Sequence, residues 1–333
     1  MRAVVLTSPG TPLEMIDVPD PVIDPDGGPH QSVLDVLACG ICHSDLHVSS
    51  GDFPVPMPVT MGHEVVVAHP TLGNCLVYAC WGCRQPGCFA CASQQEMICP
   101  NSQEIGLFTP GGYADRIWVK DDYYLVPIGG LDPAKAAPLA CGGLTAYRAV
   151  DHTLPFLAAA PSKGVPRPRA LVIGAGGLGQ YGLQFLRIRS DAEIVVLDAS
   201  PQKRELALRL GADSAVAPGE VEGTFTAVVD FVGAEATVQT ARDHVARQGI
   251  SVTVGLFGGT IPFGFGVVPH EAHFMTSVWG SRDQLAELVA LAQKHDLHSE
   301  VEVLGLDQAQ SAHDRLHEGK VNGRFVLVPE ATA

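Results

Sequence analysis

The chain has 333 residues, and at about 150 residues per domain this length favours two domains. Hydrophobic residues make up 46% and charged residues 17%, so there is enough apolar material for sizeable cores, and a disordered chain is excluded. The 36 acidic and 21 Lys and Arg side chains give a formal net charge of −15. Because so acidic a chain repels polyanions, we expect neither nucleic acid nor an anionic membrane surface among its partners.

The compartment follows from the start of the chain and from its cysteines. The first residues contain too short an apolar run for a signal peptide or an anchor. Residues 248–269 carry no charge, but glycines and prolines interrupt them, so they predict buried strands and turns rather than a membrane span. We therefore expect a cytoplasmic protein, in which nine cysteines favour metal ligands or free thiols over disulfides.

The predicted elements change character along the chain. Before residue 141, short alternating apolar runs such as SVLDVLA (32–38) and EVVVA (64–68) lie between frequent glycines and prolines, which predicts irregular β structure. From Arg169 to Gly255, strands such as RALVIG and EIVVLD alternate with helical segments such as QYGLQFLRIR. This alternation predicts a doubly wound parallel sheet. A helix over 281–295 and a final strand in GRFVLVP are predicted beyond it.

A glycine-rich loop opens the first of these helices. Gly174, Gly176 and Gly179 match G-x-G-x-x-G directly after the strand ALVI. The first glycine permits a tight turn, the second lets the backbone approach a pyrophosphate, and the third lets helix and strand pack closely. The helix N-terminus then offers free N–H groups to the phosphates. The alternative is a glycine-rich turn that binds nothing.

Asp198 ends the second predicted strand of this region. An acid at this distance from the glycine loop can accept hydrogen bonds from both hydroxyls of an adenosine ribose and repel a 2′-phosphate. The position therefore favours NAD over NADP, the alternative being an incidental surface acid.

Cys42, His63 and Cys141 are candidate metal ligands. Two thiolates and an imidazole leave one position of a tetrahedral zinc ion open, which is typical of catalytic sites. Each residue also has an ordinary explanation: Cys42 could be a small buried apolar residue or pair with Cys39 in a redox C-x-x-C, and His63 could be a hydrogen-bonded core histidine. The spacing alone does not decide between these explanations.

The motifs as a set do point to a family. GICHSDLH (40–47), GHE (62–64), CGGLTAY (141–147), the GAGGLG loop and the terminal GRFVLVP resemble, in the same order, the zinc-dependent alcohol dehydrogenases of the medium-chain dehydrogenase/reductase superfamily. The resemblance covers essentially the whole chain. It implies an α/β fold with a β-rich second domain, in which a GroES-like catalytic domain is built from both chain ends and a Rossmann domain with a doubly wound parallel sheet lies between them.

The same resemblance sets the expected domain boundaries. We expect the GroES-like catalytic domain with a structural-zinc lobe at 1–141, the Rossmann NAD-binding domain at 142–284, and the return to the catalytic domain at 285–333.

Site residues are implied by the resemblance position by position. It makes Cys42, His63 and Cys141 the ligands of a catalytic zinc. It places Glu64 behind the metal, where this carboxylate would replace water transiently. Asp45 would fix the tautomer and orientation of His63.

A proton path is implied as well. Ser44 would hydrogen-bond the substrate oxygen, and His47 would end a relay that runs through Ser44 and the nicotinamide ribose. Zinc lowers the pKa of a bound oxygen, and the relay gives the released proton a way out to solvent.

The resemblance also assigns positions around the coenzyme. His43, Lys203 and Arg324 match positions near its phosphates and adenosine ribose. The remaining cofactor positions are Gly177 and Leu178 in the glycine loop, and Val232.

Five cysteines lie close together, at positions 80, 83, 88, 91 and 99. Four thiolates around tetrahedral zinc make a closed, structural site. The family's usual spacing is C-x2-C-x2-C-x7-C, whereas this chain has a C-x4-C gap after Cys83. We assign the structural zinc to Cys83, Cys88, Cys91 and Cys99. The alternatives are that Cys80 replaces Cys83 or Cys88, or that the lobe holds free thiols only.

The resemblance predicts an enzyme, and two alternatives remain beside it. The expected activity is an NAD-dependent alcohol dehydrogenase, with one catalytic and one structural zinc per chain and a small-molecule alcohol or carbonyl substrate. The alternatives are a zinc-free quinone- or enoyl-type reductase of the same superfamily, and a non-catalytic zinc- and nucleotide-binding protein. Since the family pairs its subunits through the strands that correspond to 248–269, we also expect a homodimer or homotetramer.

Overall fold

The computed structural model describes residues 1–321 and 323–329. Contacts divide the chain into two compact units, one formed by Met1–Leu144 and the described residues from Gly280 onward, the other by Thr145–Trp279. The predicted boundaries follow residues 141 and 284, whereas the contacts change after Leu144 and Trp279.

Short strands dominate the first part of the chain. In chain order its elements are β1 (Arg2–Leu6), β2 (Glu14–Asp17), β3 (Ser32–Gly40), α1 (His43–Ser50), β4 (Val59–Thr60), β5 (Glu64–His69), β6 (Gly73–Val77), β7 (Cys80–Trp81), α2 (Phe89–Ala92), β8 (Gln103–Glu104), β9 (Arg116–Val119), β10 (Leu125–Pro127), α3 (Pro133–Ala136) and α4 (Gly142–Ala159). Short 3-10 helices cover Glu96–Ile98, Asp122–Tyr124, Ala137–Ala140, Pro161–Lys163 and Leu306–Gln308.

Strands and helices alternate in the second part, as the apolar pattern predicts. The elements are β11 (Arg169–Ile173), α5 (Gly177–Arg189), β12 (Glu193–Leu197), α6 (Pro201–Arg209), β13 (Ser214–Val216), β14 (Phe225–Asp230), α7 (Glu235–His244), β15 (Val245–Thr253), β16 (His273–Thr276), α8 (Arg282–Lys294), β17 (Val301–Gly305), α9 (Ala309–His317) and β18 (Arg324–Val328). The helix predicted over 281–295 and the final strand are thus confirmed, as α8 and β18.

A seven-stranded sheet lies at the centre of the first unit, in the order β10-β6-β5-β3-β18-β17, with β9 also pairing β3. Strands β3 and β5 are antiparallel, with Gly40 opposite Glu64. Strand β18 pairs β3 on its other side, with Val326 opposite Gly40. This register brings the residues just after β3, those just before β5, and the start of β18 to one place in the sheet.

The second unit contains a six-stranded parallel sheet in the order β13-β12-β11-β14-β15-β16. Its central strand, RALVI, is buried along nearly all its length, as expected for a strand covered on both faces. Ile173 lies level with Leu197 on one neighbour and with Asp230 on the other. The loops that follow these three strands therefore meet at the carboxyl edge, where doubly wound sheets bind ligands. The predicted fold class is confirmed.

The uncharged segment 248–269 differs from its prediction. Only its first residues continue a strand, β15, whereas 254–269 form no strand. Phe263 is 75% exposed and Phe265 is 97% exposed, so the prediction of buried strands is wrong for this stretch. The glycines and prolines that interrupt the segment also prevent a continuous strand there. No helix in the described ranges is long and apolar enough to cross a membrane.

Candidate active site

The ligand atoms of Cys42, His63, Glu64 and Cys141 lie within 4.8 Å of one another, and all four residues are buried. Cys42 follows β3 and His63 precedes β5, so the antiparallel register places them side by side. Cys141 enters from the end of the 3-10 helix that precedes α4. Its Sγ lies 3.9 Å from that of Cys42.

The chemistry of this cluster fits zinc. A hydrogen bond from Cys141 lowers the pKa of Cys42 well below its usual range, against the opposing effect of burial. The same contact, together with burial, raises the pKa of Cys141. Two sulfurs with one imidazole are a donor set that zinc prefers.

Asp45 lies behind His63. Its Oδ1 is 3.2 Å from Nδ1 of His63. Its Oδ2 accepts hydrogen bonds from the N–H of Cys42 at 2.9 Å and from the hydroxyl of Tyr113 at 2.8 Å. Burial lowers the pKa of His63, but the Asp45 charge and hydrogen bond outweigh it and raise that pKa well above its usual value. The contact at Nδ1 directs Nε2 of His63 toward the sulfurs.

Glu64 and Arg324 form a buried ion pair beside the cluster. The carboxylate also accepts a hydrogen bond from the N–H of Gly142 at 3.2 Å. Burial raises the pKa of Glu64 to about 7, although the Arg324 charge opposes this rise. Arg324 is predicted to lie near the coenzyme phosphates; here its side chain is 6% exposed and faces Glu64, and its coenzyme role stays a prediction.

Ser44 and His47 occupy helix α1, one turn apart. The Oγ of Ser44 lies 3.4 Å from Nε2 of His63. The Nδ1 of His47 lies 2.9 Å from Oδ2 of Asp52, and the ring of Phe53 packs 5.2 Å away, centroid to centroid. Asp52 is not predicted from the sequence; it is placed by the turn at Gly51, whose φ of 87° is left-handed. His43 begins the same helix and is exposed.

The second cysteine cluster contains the four predicted residues. The Sγ atoms of Cys83, Cys88, Cys91 and Cys99 lie within 4.8 Å of one another. Backbone N–H groups of Cys83 and Arg84 lie 3.5 and 3.4 Å from the sulfurs of Cys99 and Cys91.

The longer C-x4-C gap is accommodated by a turn in which Arg84 and Gly87 both have positive φ. Cys80 stands apart on β7, with its backbone opposite Glu104. The geometry thus favours the assignment in which Cys80 is spare.

The glycine loop has the backbone that its pattern predicts. Gly174 follows β11 with a φ of 87°, and Gly176 caps α5 with open space where a Cβ would be. A Cβ on Gly179 would overlap the carbonyl oxygen of Gly174, so only glycine fits there. The loop therefore leaves room for a ligand next to the first turn of α5.

Asp198 is tied to this loop. Its Oδ2 accepts a hydrogen bond from the N–H of Ala175, and its Oδ1 accepts one from the N–H of Ser200, both at 2.8 Å. The guanidinium of Arg204 donates to the carbonyl oxygens of Asp198 and Ala199. Arg204 is a neighbour that the motif does not predict.

The other predicted coenzyme positions surround the same edge of the sheet. The side chain of Val232 packs where a Cβ on Gly174 would lie. Lys203, Gly177 and Leu178 are half-buried on the first turns of α6 and α5.

Comparisons with known proteins agree with this geometry. Residues 28–130 match the family model of the alcohol dehydrogenase GroES-like domain, and residues 177–294 match that of the zinc-binding dehydrogenase. The chain is 32% identical to an NAD-dependent alcohol dehydrogenase of Sulfolobus acidocaldarius, over 98% of this chain and 99% of that one. It is 31% identical to an alcohol dehydrogenase of Geobacillus stearothermophilus, over 98% and 99%.

A solved structure agrees as well. The alcohol dehydrogenase of Aeropyrum pernix superposes with a TM-score of 0.87 at 29% identity, over 99% of this chain and 100% of that one. The chain belongs to the zinc-type alcohol dehydrogenase family. The predicted resemblance is therefore confirmed.

Within this alcohol dehydrogenase fold, the structure brings together the predicted ligands of each zinc site, whereas the roles of the other predicted site residues stay predictions. Three residues that pack against them were missed: Asp52, Tyr113 and Arg204. Only Asp52 has a local signal, an acid placed just after a glycine turn downstream of His47. Tyr113 is far in sequence from the residue that it contacts, so no spacing could have identified it.

Proposed function

We propose that this protein is an NAD-dependent alcohol dehydrogenase that interconverts small primary or secondary alcohols with aldehydes or ketones. Membership in the family supports oxidation at a CH–OH carbon. The observation that carries the proposal is the buried cluster of Cys42, His63 and Cys141 with Ser44 beside it. When bound, zinc supplies Lewis acidity toward the substrate oxygen and NAD supplies the hydride acceptor.

The protein's own groups hold and move the proton. The Ser44 hydroxyl, next to His63, accepts the proton of the substrate alcohol and passes on its own. His47 receives a proton at Nε2, because a neutral ring that donates from Nδ1 to Asp52 carries its lone pair on Nε2. The imidazole then releases the proton to solvent. In the reductive direction the same groups deliver it.

The charges behind the cluster keep its thiolates compatible with burial. Two thiolates and the Glu64 carboxylate would repel one another in a dry site. The guanidinium of Arg324 neutralises Glu64, and the Asp45 contact holds His63 in place as a ligand. A zinc-free reductase is not favoured, because such an enzyme has no need for this buried donor set.

We propose one catalytic and one structural zinc per chain. Four sulfurs make a closed set with no open position, which suits a structural ion that stabilises a lobe with little core of its own. Elemental analysis should give two zinc ions per chain. Cys88→Ala should lower this to one and reduce thermal stability, whereas Cys80→Ala should retain both ions. Loss of zinc in Cys80→Ala would contradict the assignment.

We propose NAD as the preferred coenzyme and a homodimer or homotetramer as the assembly. Asp198 at the loop supports NAD. The edge strand β16 and the exposed aromatic side chains of the 256–267 loop support self-association, because such surfaces are unfavourable in a monomer. A monomer by light scattering would contradict this proposal. Six of the nine cysteines lie in the two candidate zinc sites, a use of cysteine that supports the cytoplasm as compartment. The charge of −15 supports small molecules rather than nucleic acid or membranes as partners.

The test is to offer a panel of alcohols as substrates and to monitor the reduction of NAD through the absorbance of NADH. We expect turnover with at least one primary or secondary alcohol. Activity should be lost after chelation and should return on adding zinc. Turnover that survives complete zinc removal would instead favour the zinc-free reductase, and tight NAD binding without turnover would favour a non-catalytic protein.

A further inference from the structure

Asp45 is the buried acid that contacts His63, and it is 1% exposed. A carboxylate in such a place needs hydrogen-bond donors to offset its lost hydration. One side of the group, Oδ1, faces Nδ1 of His63. The other side, Oδ2, has two donors, the N–H of Cys42 and the hydroxyl of Tyr113. The second of these donors comes from a different part of the chain.

Tyr113 is held in place independently of its hydroxyl. Its backbone N–H donates to the carbonyl oxygen of Met61 at 2.9 Å, and its own carbonyl accepts from the N–H of Val4 at 2.7 Å. Its ring lies directly on Gly62, where a Cβ would come within 2.3 Å of a ring carbon. The ring is completely buried. The backbone hydrogen bonds and the packing of the ring therefore fix the position of the Tyr113 hydroxyl next to Asp45.

His313 on α9 completes the chain of contacts. It is 3% exposed, and its Nε2 lies 3.4 Å from the Tyr113 hydroxyl oxygen. Since that hydroxyl donates its hydrogen to Asp45, it can accept one from an N–H at Nε2 of His313. The two rings pack edge to face with centroids 6.0 Å apart. The series of contacts His313–Tyr113–Asp45–His63 thus extends from helix α9 to the candidate ligands of the catalytic zinc.

We propose that Tyr113, supported by His313, is a positioning residue for the zinc ligand His63: its hydroxyl holds Asp45 in the rotamer that fixes the His63 ring toward Cys42 and Cys141. The inference rests on the proposed zinc site. Loss of the hydroxyl leaves Oδ2 of Asp45 with one donor, so the carboxylate can turn and the imidazole can tilt. Partners of this kind typically change metal affinity about 10- to 100-fold.

The test measures zinc release from the purified holoenzyme into the chelator dipicolinate. The release phase that belongs to the catalytic cluster is the one absent from Cys141→Ala. We expect Tyr113→Phe to accelerate this phase about tenfold. The variant should also shift the d–d absorption bands of the cobalt-substituted enzyme, a signature that a general loss of stability would not produce.

The matched control is Tyr78→Phe. Tyr78 is as fully buried as Tyr113, and its substitution also removes a hydroxyl hydrogen bond. The acceptor of that bond is the carbonyl oxygen of Gly280, at 2.8 Å, and not Asp45. Its zinc release and cobalt spectrum should equal those of the wild type. Should Tyr113→Phe fail to fold, His313→Phe retains the ring contact and removes Nε2. It should accelerate zinc release in the same direction but by less than the roughly tenfold expected for Tyr113→Phe, because it acts one contact further from Asp45.

Two failures can be told apart. In the first, zinc release from the catalytic cluster is present but no faster in Tyr113→Phe than in the wild type. That result overturns the positioning role alone. If only His313→Phe folds, the same comparison is made with that variant. If zinc release from the wild type shows no phase that is lost in Cys141→Ala, the proposed catalytic zinc site is overturned, and the inference falls with it.

Discussion

The Sγ atoms of Cys42 and Cys141 lie 3.9 Å apart, although 99 residues separate them in the chain. The contact gives the pair one thiol of lowered and one of raised pKa. Both sulfurs are buried, and His63 supplies a third ligand atom within the same 4.8 Å. Removing either sulfur should therefore remove a metal ligand.

Cys141→Ala should lower the zinc content by one ion per chain and reduce kcat at least about 10³-fold, because the Lewis acidity of the metal contributes several kcal/mol to the transition state. Elemental analysis and steady-state kinetics measure both effects. Cys80→Ala is the matched control, since Cys80 is also buried but lies outside both clusters. Unchanged turnover in Cys141→Ala would show that this sulfur is not a catalytic ligand.

His47→Ala should reduce kcat about 10²-fold, the usual contribution of a positioned acid–base group. The deficit should shrink at high pH, where hydroxide can take the proton directly. Asp52→Asn should lower kcat severalfold at most, and less than His47→Ala does, because the exposed carboxylate orients the His47 ring through Nδ1 but takes no part in the proton transfer itself. Measuring kcat of the wild type, His47→Ala and Asp52→Asn over a series of pH values checks these expectations.

Ser50→Ala is the control for that series. It removes a hydroxyl that also donates to Asp52, at 2.8 Å, but it leaves the His47–Asp52 contact intact. If Ser50→Ala lowered kcat as much as Asp52→Asn, the effect would lie in the turn and not in the imidazole.

Asp198→Ala should raise the KM for NAD about tenfold or more and increase the use of NADP. The carboxylate would otherwise repel a 2′-phosphate, and its bond to the N–H of Ala175 supports the glycine loop. Initial rates with both coenzymes measure the change. Glu205→Gln, on the exposed face of α6, should leave both values as they are. An undiminished preference for NAD in Asp198→Ala would refute the assignment of this residue.

Asp213 should make stability depend on pH. Burial raises its pKa, but hydrogen bonds from the N–H of Ile194 and from Arg187 and Arg167 outweigh this and lower it to about 2. A carboxyl whose pKa is lower in the folded state stabilises the fold above its unfolded pKa of about 3.9, and this contribution is lost as the pH falls toward about 2. Because Asp213 is 32% exposed, solvent screening reduces the effect.

Asp213→Asn should therefore lower the free energy of unfolding by about 1 kcal/mol at neutral pH, and the difference should narrow only below about pH 4. Urea unfolding across a pH series measures it. Asp243→Asn, whose carboxylate is 56% exposed beside Arg242, should change stability little at any pH. A difference that widens in acid would contradict the sign of this argument.

The local patterns predict most of the site, and the sheet register explains why. Gly40 pairs with Glu64, so two short motifs meet as neighbours, and each carries ligands at fixed offsets from its strand. The glycine loop is equally local, because its chemistry depends on the backbone of six consecutive residues.

The ion pair of Glu64 with Arg324 could not be predicted from a local pattern, since 260 residues separate its partners. It depends on β18 pairing β3 in one register, which no spacing encodes. The exposed side chain of Phe265 was also mispredicted. An apolar residue in a sequence does not show whether its own chain or another chain covers it.

The first unit contains both β1 and β18, the first and last strands among the described residues, whereas Thr145–Trp279 forms the second unit as one continuous segment. During translation the continuous unit is complete well before Arg324 and β18 are made. Until then Glu64 lacks the guanidinium that compensates its charge, and an uncompensated buried charge is strongly destabilising. The three candidate zinc ligands precede Arg324 in the chain, so the Glu64–Arg324 pair beside them forms only once β18 has been added to β3. We therefore expect the candidate zinc site to gain its full metal affinity only after β18 has joined the sheet.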